Sequence, residues 1–162
     1  MSLKQQIRNN YEYKGFHVEK QLKEELEITH NYNLFNQIFP LEGSILEYGC
    51  GYGFKSYWFG INNKHCEVVG YDTDEDQLML AQHCYLNNDR INFSSCADVL
   101  QKTYETVIVN KGWKLEDITS ALGKTRYLIT YKECESDILK SDFIKEDEDE
   151  RYTLYRAKRF YK

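Results

Sequence analysis

The stretch SILEYGCGYGFKSYWF, residues 44–59, decides how the rest of the chain is interpreted. It opens with a short apolar strand pattern that one acid, Glu47, interrupts, and it continues with glycines at alternate positions, 49, 51 and 53. Aromatic-rich sequence follows at once, as at the start of a helix. A glycine turn between a buried strand and a helix lets a ligand approach the backbone, and it directs the first N–H groups of the helix towards that ligand. The alternative is a tight strand-to-helix turn that binds nothing.

A second strand pattern, residues 67–72, ends in Asp72. In nucleotide-binding βαβ units, an acid about 20 residues beyond the glycines accepts hydrogen bonds from ribose hydroxyls. A carboxylate with both oxygens free suits a vicinal diol, because each hydroxyl donates one hydrogen bond. Asp72 could instead cap the helix that follows, or Thr73 or Asp74 could cap it and leave Asp72 for the ligand. The two elements together favour a ligand that contains adenosine.

EYGCGYG at 47–53, with GYD at 70–72, resembles the first two motifs of the class I S-adenosylmethionine-dependent methyltransferases. In that family a hydrophobic strand and an acid precede Gly-x-Gly-x-Gly, and the element order of this chain is similar over residues 34–158. The resemblance implies S-adenosylmethionine as cofactor. It places Glu47 near the amino group of the ligand, although Glu47 could simply be an acid that stabilises the turn. It also places Asp98 at the adenine amino group, where the alternative is an exposed cap of the next turn.

The complete set of expected cofactor contacts combines the glycine turn with residues that follow the second, third and fourth strand patterns. The turn would lie against the methionine and ribose portions, and topology places the residue after the fourth strand at the ligand-binding edge of the sheet. These residues are Glu47, Gly49, Cys50, Gly51, Tyr52, Gly53, Asp72, Thr73, Ala97, Asp98 and Asn110.

Composition describes an ordinary globular protein of 162 residues, 41% hydrophobic and 29% charged, for which one structural domain is the default. A net charge of −5 argues against nucleic-acid binding, which normally needs a basic face. No apolar run or signal-peptide pattern indicates a membrane span or export, so we expect a cytoplasmic protein. The five cysteines form no Cys-x-x-Cys pair, which favours reduced thiols and no metal site.

Strand and helix patterns alternate along the chain and predict an α/β fold, doubly wound around a mostly parallel seven-stranded sheet with a C-terminal antiparallel hairpin. This is the Rossmann-like fold that the methyltransferase resemblance implies. Residues 1–40 are expected to form an N-terminal helical segment on or over the cofactor cleft, and residues 41–162 the cofactor-binding domain. Strand patterns lie at 45–48, 67–72, 91–95, 104–110, 127–131, 142–145 and 152–158; helix patterns lie at 16–26, 31–39, 55–61, 75–86 and 113–122; and an acidic run at 146–150 is interpreted as a solvated turn.

The acceptor site is much less specific than the cofactor site. After the fourth strand pattern the chain has Asn110-Lys111-Gly112-Trp113, which is neither the histidine of many small-molecule methyltransferases nor the Asn-Pro-Pro-Tyr of amino-methylating enzymes. No catalytic residue can be assigned. We expect a lid from the N-terminal segment and a small-molecule or lipid-like acceptor, with a protein partner or a homodimer also possible. The candidate acceptor-site residues are Tyr11, Tyr13, Lys111 and Trp113.

Two other functions remain open at this point. The unfamiliar sequence after the fourth strand would also fit a partner protein that binds the cofactor without transferring a methyl group. A nicotinamide-dependent oxidoreductase is disfavoured, because the dinucleotide fingerprint is Gly-x-Gly-x-x-Gly and its third glycine position is Phe54 here.

Overall fold

The structure is a computed structural model and describes residues 33–84 and 89–160. Predictions for residues 1–32, including the N-terminal helix and the lid residues Tyr11 and Tyr13, lie outside the described residues. The helices and strands, in chain order, are α1 (Asn33–Asn36), β1 (Gly43–Tyr48), α2 (Phe54–Asn62), β2 (Cys66–Tyr71), α3 (Glu75–Cys84), β3 (Ile91–Ser94), β4 (Thr106–Val109), β5 (Tyr127–Tyr131), α4 (Asp137–Asp142), β6 (Phe143–Glu148) and β7 (Tyr152–Ala157). Short 3₁₀ helices cover Ala97–Gln101, Leu115–Ile118, Ala121–Lys124 and Lys158–Phe160.

The seven strands form one sheet in the order β3-β2-β1-β4-β5-β7-β6. Strands β1 to β5 are parallel, and β7 inserts antiparallel between β5 and β6. The predicted α/β fold, with a mostly parallel sheet and a C-terminal antiparallel hairpin, is confirmed. Strand β1 lies in the interior of the sheet, between β2 and β4.

The register brings the carboxyl ends of the parallel strands to one edge of the sheet. Tyr48, the last residue of β1, pairs with Tyr71 in β2 and with Val109 in β4. Residues that directly follow these strands therefore meet at the same edge, which is where open α/β sheets bind ligands. The glycine turn, Asp72 and Asn110 all occupy such positions.

Both faces of the sheet are covered, because neighbouring residues of a strand point to opposite sides. Ile45 of β1 packs in a core with Phe35 of α1 and Phe59 of α2. Leu46 packs on the other face, in a core that includes Leu115 and other apolar residues of the 3₁₀ helices and α4. The glycine turn therefore starts from a strand that is buried on both sides.

The helix predicted over 113–122 is wrong in type, since two 3₁₀ helices, Leu115–Ile118 and Ala121–Lys124, take its place. Leu115, Ile118 and Ala121 are buried at intervals of three residues. In a 3₁₀ helix, residues three apart lie on the same face, so this spacing satisfies the core without an α-helix. The helix predicted over 31–39 is also shorter in the described residues, where it covers Asn33–Asn36.

The acidic run is not simply a solvated turn, because β6 continues to Glu148. Glu146 lies 2.9 Å from Arg156 of the neighbouring strand, and Glu148 lies 2.8 Å from Lys145. An edge strand is exposed along one side and tolerates charged residues. The connection between β3 and β4 contains the 3₁₀ helix Ala97–Gln101. In the part of the chain that is described, no helix is long and apolar enough to cross a membrane.

Candidate functional site

The glycine turn between β1 and α2 requires its three glycines for conformational reasons. Gly49, Gly51 and Gly53 have φ angles of 85°, 54° and 81°, in the left-handed region that other residues rarely adopt. A Cβ on Gly49 would overlap the indole of Trp113, and one on Gly53 would overlap the ring of Phe93. At Gly51 an added Cβ would meet only Gln77 Oε1, at 3.5 Å, among the described residues. The turn is thus most open at its central glycine.

The N–H groups of the turn are largely bound within the chain. Gly49 and Cys50 donate to the Tyr71 carbonyl at 2.8 and 2.9 Å, and Gly53 donates to the Cys50 carbonyl at 2.9 Å. Gly51 donates to Asp72 Oδ2 at 2.8 Å. The turn is therefore fixed against the end of β2 by its own backbone, and its N–H groups hold its shape at these positions.

Asp72 lies beside the turn, as predicted, and is only 6% exposed. Its Oδ2 accepts from Gly51 and its Oδ1 accepts from the Asp74 N–H at 3.0 Å, so the expectation that both oxygens are free is wrong. A carboxylate has about four acceptor positions, so two bonds do not exhaust it. Asp74, not Asp72, caps α3, because Asp74 Oδ1 accepts from the Gln77 N–H at 3.1 Å. Thr73 is exposed beside them.

Glu47 is the centre of a buried polar cluster and is 1% exposed. Its Oε1 accepts from both the N–H and the hydroxyl of Ser56, at 3.0 and 2.7 Å, in the first turns of α2. Its Oε2 accepts from Asn110 Nδ2 at 2.9 Å and lies 3.8 Å from Lys55 Nζ. The alternative role for Glu47, an acid that stabilises the turn, describes these contacts well.

Asn110 connects this cluster to the glycine turn and to the C-terminal hairpin. Its Nδ2 also donates to the carbonyls of Tyr48 and Gly49, at 3.3 and 3.0 Å. Its Oδ1 accepts from the hydroxyl of Tyr152 at 3.1 Å, and that hydroxyl accepts from Lys55 Nζ at 2.8 Å. Asn110 is therefore at the predicted edge, with its amide bonded within the chain.

An aromatic cluster lies against Gly49, the first glycine of the turn. The Trp113 ring packs 4.8 Å from Tyr48 and 6.0 Å from Tyr71, between ring centroids, and covers Gly49. Lys111, next to it in sequence, is exposed. Of the four candidate acceptor residues, the structure brings Trp113 to the turn and leaves Lys111 at the surface, while Tyr11 and Tyr13 are outside the described residues. Tyr52, in the turn itself, is half-buried.

Ala97 and Asp98 begin the 3₁₀ helix that follows β3, and both are exposed. No hydrogen bond of the Asp98 carboxylate is found within residues 33–84 and 89–160. The contact of these two residues with an adenine ring stays a prediction. The exposed position also agrees with the alternative role of Asp98 in the first turn of the short helix.

Thiol chemistry is disfavoured at the turn. Burial raises the pKa of the Cys50 thiol far above its usual range, and the nearby Glu47 and Asp72 carboxylates raise it further. A thiol that stays protonated is a poor nucleophile. Within the described ranges, no group of three or more His, Cys, Asp or Glu side chains could hold a metal ion.

The described histidines do not supply a base at this edge. His65 immediately precedes β2, so it belongs to the amino edge of the parallel strands, and His83 is exposed on α3.

A cavity of about 420 Å³ is lined by Leu122, Phe143 and Arg159 among other residues, and none of its lining residues belongs to the turn or to the Glu47 cluster.

Sequence reasoning missed three members of the polar cluster, Lys55, Ser56 and Tyr152. Lys55 and Ser56 lie in the first turn and a half of α2, directly after the glycines, so their position was visible in the motif. Tyr152 joins the cluster from β7, 97 residues after its partner Lys55. No local pattern in the sequence could have shown that contact.

Comparison of the sequence with protein-family models and with curated proteins gave no match. Comparison of the fold gave solved structures at low identity. The 16S rRNA methylase ArmA is 15% identical, with a TM-score of 0.61 over 97% of this chain and 98% of that one. A methyltransferase from Geobacter sulfurreducens is 16% identical, with a TM-score of 0.57 over 70% of each chain. The N-methyltransferase NodS from Bradyrhizobium japonicum, solved with S-adenosyl-L-homocysteine, is 12% identical, with a TM-score of 0.53 over 72% of this chain and 78% of that one.

At these identities the similarity establishes the fold. The sheet order, the antiparallel β7 and the glycine turn after β1 agree with it. The chain has the Rossmann-like fold of the class I S-adenosylmethionine-dependent methyltransferases.

Proposed function

We propose that this protein is an S-adenosylmethionine-dependent methyltransferase. The observation that carries the proposal is the hydrogen bond between Asp72 and the central glycine of the turn, Gly51. It places a nearly buried carboxylate beside the glycine of the turn that the described residues leave most open. A vicinal diol at that point would meet the remaining acceptor positions of Asp72, and the rest of a nucleoside would extend along the carboxyl edge of the sheet.

The other cofactor contacts follow from the same placement. The methionine and ribose portions would lie along residues 49–53, with Tyr52 at the side, and Glu47 would lie near the amino group of the ligand. Ala97 and Asp98 would meet the adenine, and Asn110 would hold the turn rather than the ligand, because its amide is bonded to Glu47 and Gly49.

Methyl transfer from a sulfonium is an in-line displacement of an activated group, so alignment of donor and acceptor supplies much of the rate. A phenol, thiol or amine acceptor needs the removal of at most one proton. The task of this chain is therefore to hold the cofactor rigidly and exclude water. The turn, which is fixed by β2, Trp113 and Phe93, is suited to the first task.

The acceptor is proposed to be a small or lipid-like molecule that binds between the loop after β4 and the N-terminal segment, in the cytoplasm. The net charge of −5 supports this choice over a polyanionic acceptor. The similar structures have varied functions, including an rRNA methylase and an N-methyltransferase, so the fold does not select among acceptors.

A second function is favoured by one specific observation. The amide of Asn110, which follows β4, is buried and bonded within the chain on both its oxygen and its nitrogen. Both polar atoms of this side chain therefore already have partners within the chain. A protein that binds the cofactor without transferring a methyl group would have the same geometry.

Calorimetric titration tests cofactor binding directly. The wild-type protein is expected to bind S-adenosylhomocysteine and not NAD. Asp72→Ala is expected to weaken binding by about 1–3 kcal/mol, the scale of a lost partner for hydrogen-bonded hydroxyls. Asp76→Ala, which removes the same charge from an exposed position of α3, is the matched control and should leave the affinity unchanged.

Two results of that titration would contradict the proposal. Unchanged affinity in Asp72→Ala would exclude Asp72 as the ribose ligand, and binding of NAD alone would favour the oxidoreductase. Release of S-adenosylhomocysteine from S-adenosylmethionine in the presence of candidate acceptors separates an enzyme from a non-transferring binding protein.

A further inference from the structure

A group of basic residues lies at the edge of the sheet opposite to the glycine turn. Arg126 directly precedes β5, and Lys158, Arg159 and Phe160 directly follow β7. Because β7 is antiparallel to β5, the end of β7 meets the start of β5, and the Ala157 N–H donates to the Arg126 carbonyl at 2.9 Å. Arg126, Lys158 and Arg159, here called the basic cluster, are therefore brought together at the amino edge of the parallel strands.

The ring of Phe160 holds two guanidinium groups of the basic cluster near each other. The Cζ atoms of Arg126 and Arg159 lie 5.3 and 5.2 Å from the centre of this ring. Arg159 Nη2 also donates to the Thr125 carbonyl at 2.9 Å, and Arg126 lies 5.2 Å from the centre of the Tyr127 ring. A guanidinium group that stacks on an aromatic ring keeps its planar fork of N–H donors for an anion. Two such forks are thus held at an exposed surface.

The charges of the basic cluster are not balanced by acids in the part of the chain that is described. The ion pairs found there involve other lysines and arginines, and none includes Arg126, Lys158 or Arg159. Lys158 donates to the carbonyl of Lys140 at 3.0 Å, which is a neutral acceptor, as is the carbonyl bound by Arg159. A guanidinium group has five N–H donors and an ammonium group three, so each keeps donors for a ligand. An anion between the two arginines would also relieve their mutual repulsion.

The cavity of about 420 Å³ adjoins the basic cluster, because Lys158 and Arg159 are among its lining residues. Its volume lies in the range of small-molecule sites. The lining combines apolar side chains with a hydroxyl and a carboxylate, and includes Leu122, Phe143, Ala157, Ser141 and Asp142. A body with apolar faces and hydrogen-bonding edges would fit this lining, with its anionic group at the two cations.

We propose that the basic cluster and the cavity form a binding site for an organic phosphate, with the phosphate between Arg126 and Arg159 and the organic body in the cavity. A phosphate monoester carries about 1.5 to 2 negative charges and three acceptor oxygens, so it can serve two guanidinium groups and one ammonium group together. The inference does not depend on the proposed function, because the site lies at the opposite edge of the sheet. The competing explanation is a solvated basic face that selects no ligand.

The test compares three probes by calorimetry on the whole chain. Uridine 5′-monophosphate has both the phosphate and an organic body, uridine has only the body, and inorganic phosphate has only the anion. Uridine compounds are used because adenosine compounds would also be ligands of the proposed cofactor site. The nucleotide is expected to bind about 10- to 100-fold more tightly than uridine, the scale of hydrogen bonds to a charged group, and more tightly than inorganic phosphate. Arg126→Gln and Arg159→Gln should each remove most of the preference over uridine.

Control variants separate the site from general electrostatics. Arg151→Gln removes the same charge from an exposed residue just before β7, at the carboxyl edge of the parallel strands, and should leave all affinities unchanged. Phe160→Leu keeps the charges and removes the shared ring, so it should lower the preference for the nucleotide by less than either arginine variant does. Ser141→Phe places a ring in the cavity and should weaken the nucleotide without affecting inorganic phosphate.

The results that would overturn the site are specific. Equal binding of the nucleotide and uridine by the wild-type protein would exclude the phosphate contact, and equal binding of the nucleotide and inorganic phosphate would exclude the cavity. Equal losses in Arg151→Gln and Arg126→Gln would favour the solvated basic face. Binding of octauridylate without binding of the mononucleotide would replace the site by a surface for nucleic acid. Binding of S-adenosylhomocysteine should be unchanged in Arg126→Gln, so this inference and the proposed function can fail separately.

Discussion

Replacement of Glu47 by glutamine is expected to destabilise the protein, although the two side chains have nearly the same size. Glu47 accepts hydrogen bonds on both oxygens, from Ser56 on one and from Asn110 on the other. Glutamine can accept on one side only, because its NH₂ group is a donor. If the amide oxygen keeps the bonds to Ser56, the NH₂ group faces the NH₂ group of Asn110.

Asn110 cannot relieve this conflict by exchanging the positions of its amide oxygen and nitrogen. At present Asn110 Nδ2 donates to the carbonyls of Tyr48 and Gly49, at 3.3 and 3.0 Å, and after the exchange the amide oxygen would face these two acceptors. The loss of one hydrogen bond to a charged acceptor costs about 1.5–3 kcal/mol. Glutamine is also uncharged, so the attraction between Glu47 Oε2 and Lys55 Nζ, 3.8 Å apart, is lost as well. This loss costs at most about 1 kcal/mol more after screening. The expected total is roughly 2–4 kcal/mol, which for a chain of this size lowers Tm by about 4–16 °C.

The assay is thermal unfolding of wild-type protein and Glu47→Gln, followed by circular dichroism. Glu67→Gln makes the same chemical change at an exposed position of β2 and should stay within about 0.5 kcal/mol of the wild type. A Tm for Glu47→Gln within about 1 °C of the wild type would refute the reasoning. It would mean that Asn110 and Ser56 do not both have to donate to residue 47.

Further predictions concern the turn, the core and the N-terminal segment. Gly53→Ala should cost about 2–4 kcal/mol in denaturant unfolding, because its Cβ would overlap Phe93. Gly112→Ala has a similar φ of 90°, and its Cβ would meet no atom of the described residues within 4 Å, so it should cost only the backbone strain of about 1–2 kcal/mol. Burial raises the pKa of the Cys66 thiol from 9.0 to about 11, so the stability that it contributes is complete below pH 9 and decreases as the pH rises towards 11. Unfolding titrations across that range should show the decrease, and Cys66→Ala should make it less steep; an equal slope in both proteins would contradict the assignment. Deletion of residues 1–16 should spare the fold, abolish methyl transfer and weaken cofactor binding, and retained transfer would exclude a lid.

The strands that define the fold were predictable because short apolar runs in the sequence indicate their burial. β4 and β5 are apolar runs between turn residues, and β1 ends at glycines whose conformations other residues rarely adopt. β6 was predicted too short, since an edge strand needs few apolar residues and its acids find partners such as Arg156 across the hairpin. Helix α4 was missed, although Ser136 accepts from the Ile138 N–H and marks its start.

The site was predictable only where it follows the strand ends. Asp72 is at the turn because β2 pairs in register with β1, so its position follows from topology. Its bonds to Gly51 and Asp74 depend on the exact path of the turn and were not predictable. The partnership of Lys55 with Tyr152 depends on the insertion of β7 beside β5, which joins residues distant in sequence.

A crystal structure of the protein with S-adenosylhomocysteine would test the central claim most directly. The ribose hydroxyls are expected within hydrogen-bond distance of Asp72, and the nucleoside over Gly51. A ligand bound at any other edge of the sheet, or a ribose without contact to Asp72, would contradict the account.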